Sequence, residues 1–97
     1  MKQKPSILQD RKECYISGRT DNLHLHHIYG GFGRRRVCDK YGFWVYLTGE
    51  LHNQSCLGVH CGNVILDQHL KKVCQSQFEQ NGHSRREFVS IVGRSYL

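Results

Sequence analysis

Apolar and polar positions alternate through residues 23–28, Leu23-His24-Leu25-His26-His27-Ile28, and a period of two predicts a strand. A second run, Gly42-Phe43-Trp44-Val45-Tyr46-Leu47-Thr48, is rich in aromatic and β-branched residues and predicts the strongest strand of the chain. Further along the period lengthens. Leu66, Leu70, Val73, Cys74 and Phe78 recur at helical spacing, which predicts an amphipathic helix over residues 64–80, capped by Asn63 and stopped at Asn81-Gly82. Ser84, three residues before Glu87, has the form of a capping box and predicts a last helix, 84–93, that buries Phe88, Ile91 and Val92.

Weaker signals fill the gaps. Cys14-Tyr15-Ile16 predicts a short strand, and the turn-rich residues 17–22 would let it pair with 23–28 as a hairpin. Gly30-Gly31-Phe32-Gly33-Arg34-Arg35-Arg36 reads as a flexible basic loop. Residues 49–54 predict a short helix with Thr48 as its N-cap, and 55–62 a loop. Residues 1–13 are polar and charged, with Pro5, and read as a loosely held arm or short helix, leaving 14–97 as the folded domain. The expected class is α+β: a β-hairpin, a basic loop, a strand, a short helix and two C-terminal helices.

Length and charge narrow the function. A chain of 97 residues allows one small domain with a limited core. Fourteen Lys and Arg against eight Asp and Glu give a formal net charge of +6, which favours polyanionic partners, nucleic acid above all. No apolar run approaches the ~20 residues that span a bilayer, so no membrane role is expected. No apolar segment follows the charged first residues, so a secretion signal is not expected and the cytoplasm is the expected compartment. Five cysteines, with no C-x-x-C pair, argue against a disulfide framework.

The chemistry lies in the histidines. Three fall within residues 24–27, and His52 and His60 follow downstream. Neutral imidazole is a common ligand of Zn²⁺ and related ions and a general base near neutral pH. Side chains alternate along a strand, so His24 and His26 would face one way and His27 the other. One of the adjacent pair can then bind an ion while its neighbour faces a substrate. His52, after the long strand, and His60, in the following loop, can converge on the same ion. Such an arrangement suits phosphodiester hydrolysis, with Arg34, Arg35, Arg36 and the nearby Lys40 holding flanking phosphates.

The ordered series C-x-x-S-G at 14–18, L-H-L-H-H-I-Y-G-G at 23–31, R-R-x-x-D-K-Y-G-F-W-V-Y-L-T-x-x-L-H-N at 35–53 and G-V-H at 58–60 resembles small phage and prophage HNH endonucleases, of the ββα-metal or His-Me finger class. Leu66-Asp67, Leu70-Lys71, Cys74-Gln75, Phe78-Glu79 and the ending Val92-Gly93-Arg94-Ser95-Tyr96-Leu97 extend the resemblance over nearly everything from Cys14 onward. It implies a ββα-metal core and hydrolysis of DNA to 5′ phosphate and 3′ hydroxyl ends with one divalent ion, Mg²⁺, Mn²⁺, Ni²⁺ or Zn²⁺. It also implies a bacterial host cell as the setting, with phage or host proteins as further partners. Carried over by position, His26, His52 and His60 become the metal ligands and His27 the general base.

The chain departs from that pattern twice. Many such nucleases carry an asparagine between the base and the helix to orient the base, and none lies between His27 and His52; a backbone carbonyl is the expected substitute. Relatives often hold a structural zinc with two C-x-x-C pairs. The corresponding positions here are Cys14, Ser17, Thr48 and Leu51, so no Cys₄ zinc is expected, and Leu51 should join the core beside Leu47.

Plainer readings stand beside these. His24 reads as a surface residue or a support for the ligands, and His69 and His83 as helix-face and turn residues. Cys56 competes with His60 as a ligand, Cys61 less so, while Cys38 reads as a loop thiol and Cys74 as a core residue. Phe43, Trp44 and Tyr46 suit core and sheet faces, and the last two helices a scaffold with Lys71, Lys72, Arg85 and Arg86 as outer contacts. The rival functions are a catalytically weak or inactive DNA-binding module of the same fold and a protein-interaction accessory factor.

Overall fold

The computed structural model describes residues 3–31, 33–55 and 57–97. Its centre is a two-stranded antiparallel sheet of β1 (Leu23–His27) and β2 (Trp44–Thr48), in a register that places Leu23 opposite Thr48, His26 opposite Val45 and His27 opposite Trp44. The chain is a small α+β domain. After β2 come a short π-helical segment (Glu50–Gln54) and a single 3₁₀ turn (Val59–Cys61), then the long helix α2 (Val64–Gln80) and the short α3 (Arg85–Val92). Among the described residues no helix is long and apolar enough to cross a membrane.

The expected hairpin does not form. Residues 14–16 are not a strand; Cys14 instead closes a tight loop, its N–H donating to the Arg19 carbonyl and its own carbonyl accepting from Gly18 N–H. β1 pairs with the distant β2 because Val45 and Leu47 supply a fully buried apolar face. Burial of such a side chain is worth about 1.5–3 kcal/mol, which residues 14–16 could not match on both sides of a local hairpin.

The expected basic loop is also a helix in its second half. Arg34–Tyr41 form α1, which connects the two strands. Arginine and lysine are good helix formers, and Val37, Cys38 and Tyr41 give this segment an apolar stripe against the core. Cys38 is therefore a fully buried helical residue rather than a loop thiol. Gly42 ends α1 with a positive φ of 76°, and its N–H donates to the Cys38 carbonyl. A side chain there would also collide with the Pro5 carbonyl.

That collision marks a third correction. Residues 3–13 are neither a loose arm nor a helix but a strap bound along β2. Lys4 N–H donates to the Asp39 carbonyl and Ile7 N–H to that of Gly42; Ser6 Oγ donates to the Trp44 carbonyl, Trp44 Nε1 to that of Lys4, and Tyr46 N–H to Gln9 Oε1. A two-stranded sheet has two open edges, and the strap satisfies the outer edge of β2.

The C-terminal helices follow the sequence closely. Asn63 accepts from Leu66 N–H and Ser84 from Glu87 N–H, as their capping patterns predict. Only half of the box at Ser84 forms, since the Glu87 carboxylate meets His83 Nδ1 at 3.0 Å. Thr48 does not cap the segment after β2; Gly49 occupies that position. The core is a cluster of Ile28, Tyr29, Phe43, Leu47, Leu70, Cys74, Phe78 and Phe88, with Leu51 packed against it. Tyr29 donates from its hydroxyl to the Lys71 carbonyl, 2.7 Å away, fastening the end of β1 to α2.

Candidate metal centre

The sheet register decides which way each histidine faces. His24 and His26 lie opposite Leu47 and Val45, on the face turned toward the core, and His27 projects from the other face opposite Trp44. The chain then wraps so that His52, in the π-helical segment, and His60, in the 3₁₀ turn, come over His26. Ring centroids are 5.3 Å apart for His26 and His52, 5.2 Å for His26 and His60, and 4.7 Å for His52 and His60. One ring nitrogen from each of the three lies within 4.8 Å of the others.

Gly58 makes this approach possible. A Cβ there would sit 2.8 Å from the His52 carbonyl oxygen and 2.9 Å from its carbon. Any side chain would push the turn bearing His60 away from the segment bearing His52. The π-helical winding is itself uncommon and recurs at functional sites, where the extra residue re-aims a side chain.

The electrostatics suit a cation. His26 is 2% exposed, and neither of its ring nitrogens has a hydrogen-bond partner among the described residues. An orphaned buried polar group costs about 1–3 kcal/mol, so its persistence calls for a ligand. Burial, then the neighbouring His52 and His60, push the pKa of His26 down to about 3. Burial followed by His60 and His24 lowers His52 to about 4. Both rings are neutral at pH 7 and keep a lone pair for a metal. Three convergent imidazoles, one of them unsatisfied among the described residues, are therefore placed to hold one metal ion.

His24 is not among the three converging residues. Its Nδ1 lies 3.0 Å from Nδ1 of His52. Between two neutral rings one nitrogen must donate and the other accept. If His52 donates, its Nε2 is left with the lone pair a metal needs, and the contact fixes that tautomer. Cys61 is exposed, and its thiol donates to the Asn53 carbonyl at 3.3 Å. Cys56, the other competing ligand, lies outside the described residues.

His27 opens onto the same cleft, a cavity of about 350 Å³ lined by His27, Tyr29, Arg35, His52, Asn53 and His60 among others. Among the described residues no backbone carbonyl bonds its ring. The partner is the carboxylate of Asp39, with Nε2 of His27 2.9 Å from Oδ1. Asp39 is partly buried, which works against ionisation, but hydrogen bonds from Gln3 and His27 and the charge of Arg35 outweigh this and hold its pKa below the ordinary value. An ionised carboxylate only accepts, so the proton on a neutral His27 is assigned to Nε2 and the lone pair to Nδ1.

No family model matches the chain, and neither does any curated protein or solved structure.

The four basic residues of α1 divide by position. Arg35 lines the cleft, and Arg36 and Lys40 are exposed one turn apart on the helix surface. Arg34 turns away: its guanidinium lies beside Gly93, which ends α3. There it complements the negative end of that helix. Asn53, which lines the cleft, and Asp39, which bonds His27, are the residues that sequence reasoning missed. Asn53 directly follows His52, and Asp39 stands four residues after Arg35, on the same face of α1.

Cys14, Ser17 and Thr48, three of the four positions at which no Cys₄ zinc is expected, are drawn together. Burial raises the pKa of the Cys14 thiol, but hydrogen bonds from Ser17, Thr48 and Ile16 outweigh it and hold the thiol below its ordinary value. Ser17 N–H donates to Cys14 Sγ at 3.4 Å.

Proposed function

We propose that the chain is a metal-dependent DNA endonuclease of the HNH type, phage or prophage encoded, built on a ββα-metal core. The observation that carries this reading is the buried, unpartnered His26, facing His52 and His60 beside a cleft that His27 and Arg35 also line. The antiparallel β1–β2 pair, followed at once by a helical segment bearing His52, supports the ββα-metal assignment. The net charge of +6 supports a polyanionic substrate.

In this reading His26, His52 and His60 hold the ion, and His24 keeps His52 in its ligating tautomer. A bound divalent ion would supply Lewis-acid stabilisation of charge on the scissile phosphate and the leaving 3′ oxygen. The chain's own residues do the rest. His27 accepts the proton of the attacking water at Nδ1, a role worth about 10²–10⁴-fold in rate. Arg35 binds a phosphate oxygen within the cleft, while Arg36 and Lys40 meet the backbone farther along.

Incubation with supercoiled plasmid and Mg²⁺, Mn²⁺ or Ni²⁺ tests the reading. Nicked or linear DNA with 5′ phosphate ends is expected, with loss of cleavage in His27→Ala. No cleavage with any of these ions would leave an inactive DNA-binding or protein-interaction role instead.

A further inference from the structure

Asp39 sits in a helix crowded with positive charge, yet it ignores the obvious partner. Arg35 stands four residues before it, the spacing at which an arginine and an aspartate pair on a helix. Among the described residues Asp39 forms an ion pair only with His27, at 2.9 Å. The same oxygen, Oδ1, also accepts from Gln3 Nε2 at 2.7 Å, and the Asp39 carbonyl accepts from Lys4 N–H at 2.8 Å. The strap thus grips Asp39 by side chain and backbone together. With its carboxylate bonded by Gln3 as well as His27 and its backbone carbonyl by Lys4, Asp39 has little rotational freedom, and that order passes to the His27 ring.

We infer that Asp39 is the positioning residue of His27, and that Gln3 on the N-terminal strap holds Asp39 in place for that task. The inference rests on His27 acting as the general base. A strap that looks like edge protection for β2 is then also part of the site. Its docking along β2 brings Gln3 to Asp39, Asp39 fixes the proton of His27 on Nε2, and the lone pair is left on Nδ1. The contact does not involve the metal ligands, so its loss should leave ion binding intact.

The test joins an activity measurement to one that needs no activity. The ¹⁵N shifts of the neutral His27 ring, recorded by NMR, should report the Nε2–H tautomer in the wild-type protein. Asp39→Ala should let the two tautomers mix and lower plasmid cleavage by about 10–100-fold, with Ni²⁺ affinity by calorimetry unchanged. Asp39→Asn keeps an acceptor oxygen and should restore the Nε2–H tautomer and most of the cleavage. Gln3→Ala should give a smaller loss of cleavage without change in ion affinity. If Asp39→Ala does not fold, Asp39→Asn and Gln3→Ala carry the comparison. The inference is overturned if wild-type His27 is the Nδ1–H tautomer, if Asp39→Ala keeps the wild-type tautomer and rate, or if Asp39→Asn falls as far as Asp39→Ala. Should the wild-type protein cut nothing, the endonuclease reading fails, and the tautomer shifts alone decide the role of Asp39.

Discussion

His24 Nδ1 and His52 Nδ1 lie 3.0 Å apart, so a histidine outside the converging trio hydrogen-bonds one inside it. Outer partners of this kind are worth about 10–100-fold in metal affinity. His24→Ala should weaken Ni²⁺ or Zn²⁺ binding by about that factor, while His69→Ala should leave it unchanged. Isothermal calorimetry on both variants checks this; equal affinities would remove His24 from the site.

His26 should trade stability for binding. Its ring nitrogens are buried without partners among the described residues, so His26→Leu, of similar volume, removes a desolvated polar group costing about 1–3 kcal/mol. The metal-free variant should melt at or above the wild-type temperature and gain nothing from added Ni²⁺, whereas the wild-type protein should be stabilised. A variant that melts well below the metal-free wild type would mean that His26 has a structural partner.

Acid should destabilise the metal-free protein. His26 has a folded pKa of about 3 and His52 of about 4, against an ordinary value of 6.5. Between those values the unfolded chain binds more protons than the folded one, so stability rises with pH up to about 6.5 and is lost as pH falls below it. Thermal midpoints should be nearly flat above about pH 7 and drop steadily from about 6.5 to 4.5. A midpoint that holds or rises over that window would contradict the burial of neutral histidines.

The cations of α1 should separate in a salt titration. Each phosphate contact contributes about 0.9 to the slope of log affinity against log salt on duplex DNA. Arg35→Ala, Arg36→Ala and Lys40→Ala should each flatten the slope by about that amount. Arg34→Ala should leave it unchanged and lower the melting temperature instead, because Arg34 lies against the end of α3. Wild-type slopes for all four variants would remove the helix from the DNA interface.

The sequence was most informative where local signals act alone. The helix at 64–80 was legible because its periodicity, its Asn63 cap and its stop at Asn81-Gly82 agree with one another. The convergence of His26, His52 and His60 was legible because metal-ligand chemistry has few alternatives. Long-range competition hid the rest. Residues 14–16 carry a plausible strand pattern, but Val45 and Leu47 offer β1 a better partner. The glycines before Arg34 masked a helix whose apolar stripe is only Val37, Cys38 and Tyr41. The strap binds by scattered groups such as Ser6 and Gln9, which leave no periodic trace. Asp39 reads as one polar residue of a basic stretch until the fold sets it against His27.

Gly58 deserves its own variant, since its backbone lies against that of His52. Gly58→Ala should displace His60 and weaken metal binding while the helices are kept. Circular dichroism with calorimetry reads both outcomes; unchanged affinity would show that the turn yields without moving His60.

The most direct measurement of the central claim is an anomalous difference map from crystals grown with Mn²⁺, Ni²⁺ or Zn²⁺. The expected result is one ion with the nitrogens of His26, His52 and His60 about 2.0–2.2 Å away, at least one coordination position open toward the cleft, and His27 close by but unligated. An ion bound elsewhere, or a closed tetrahedral site completed by a protein ligand such as Cys61, would contradict it.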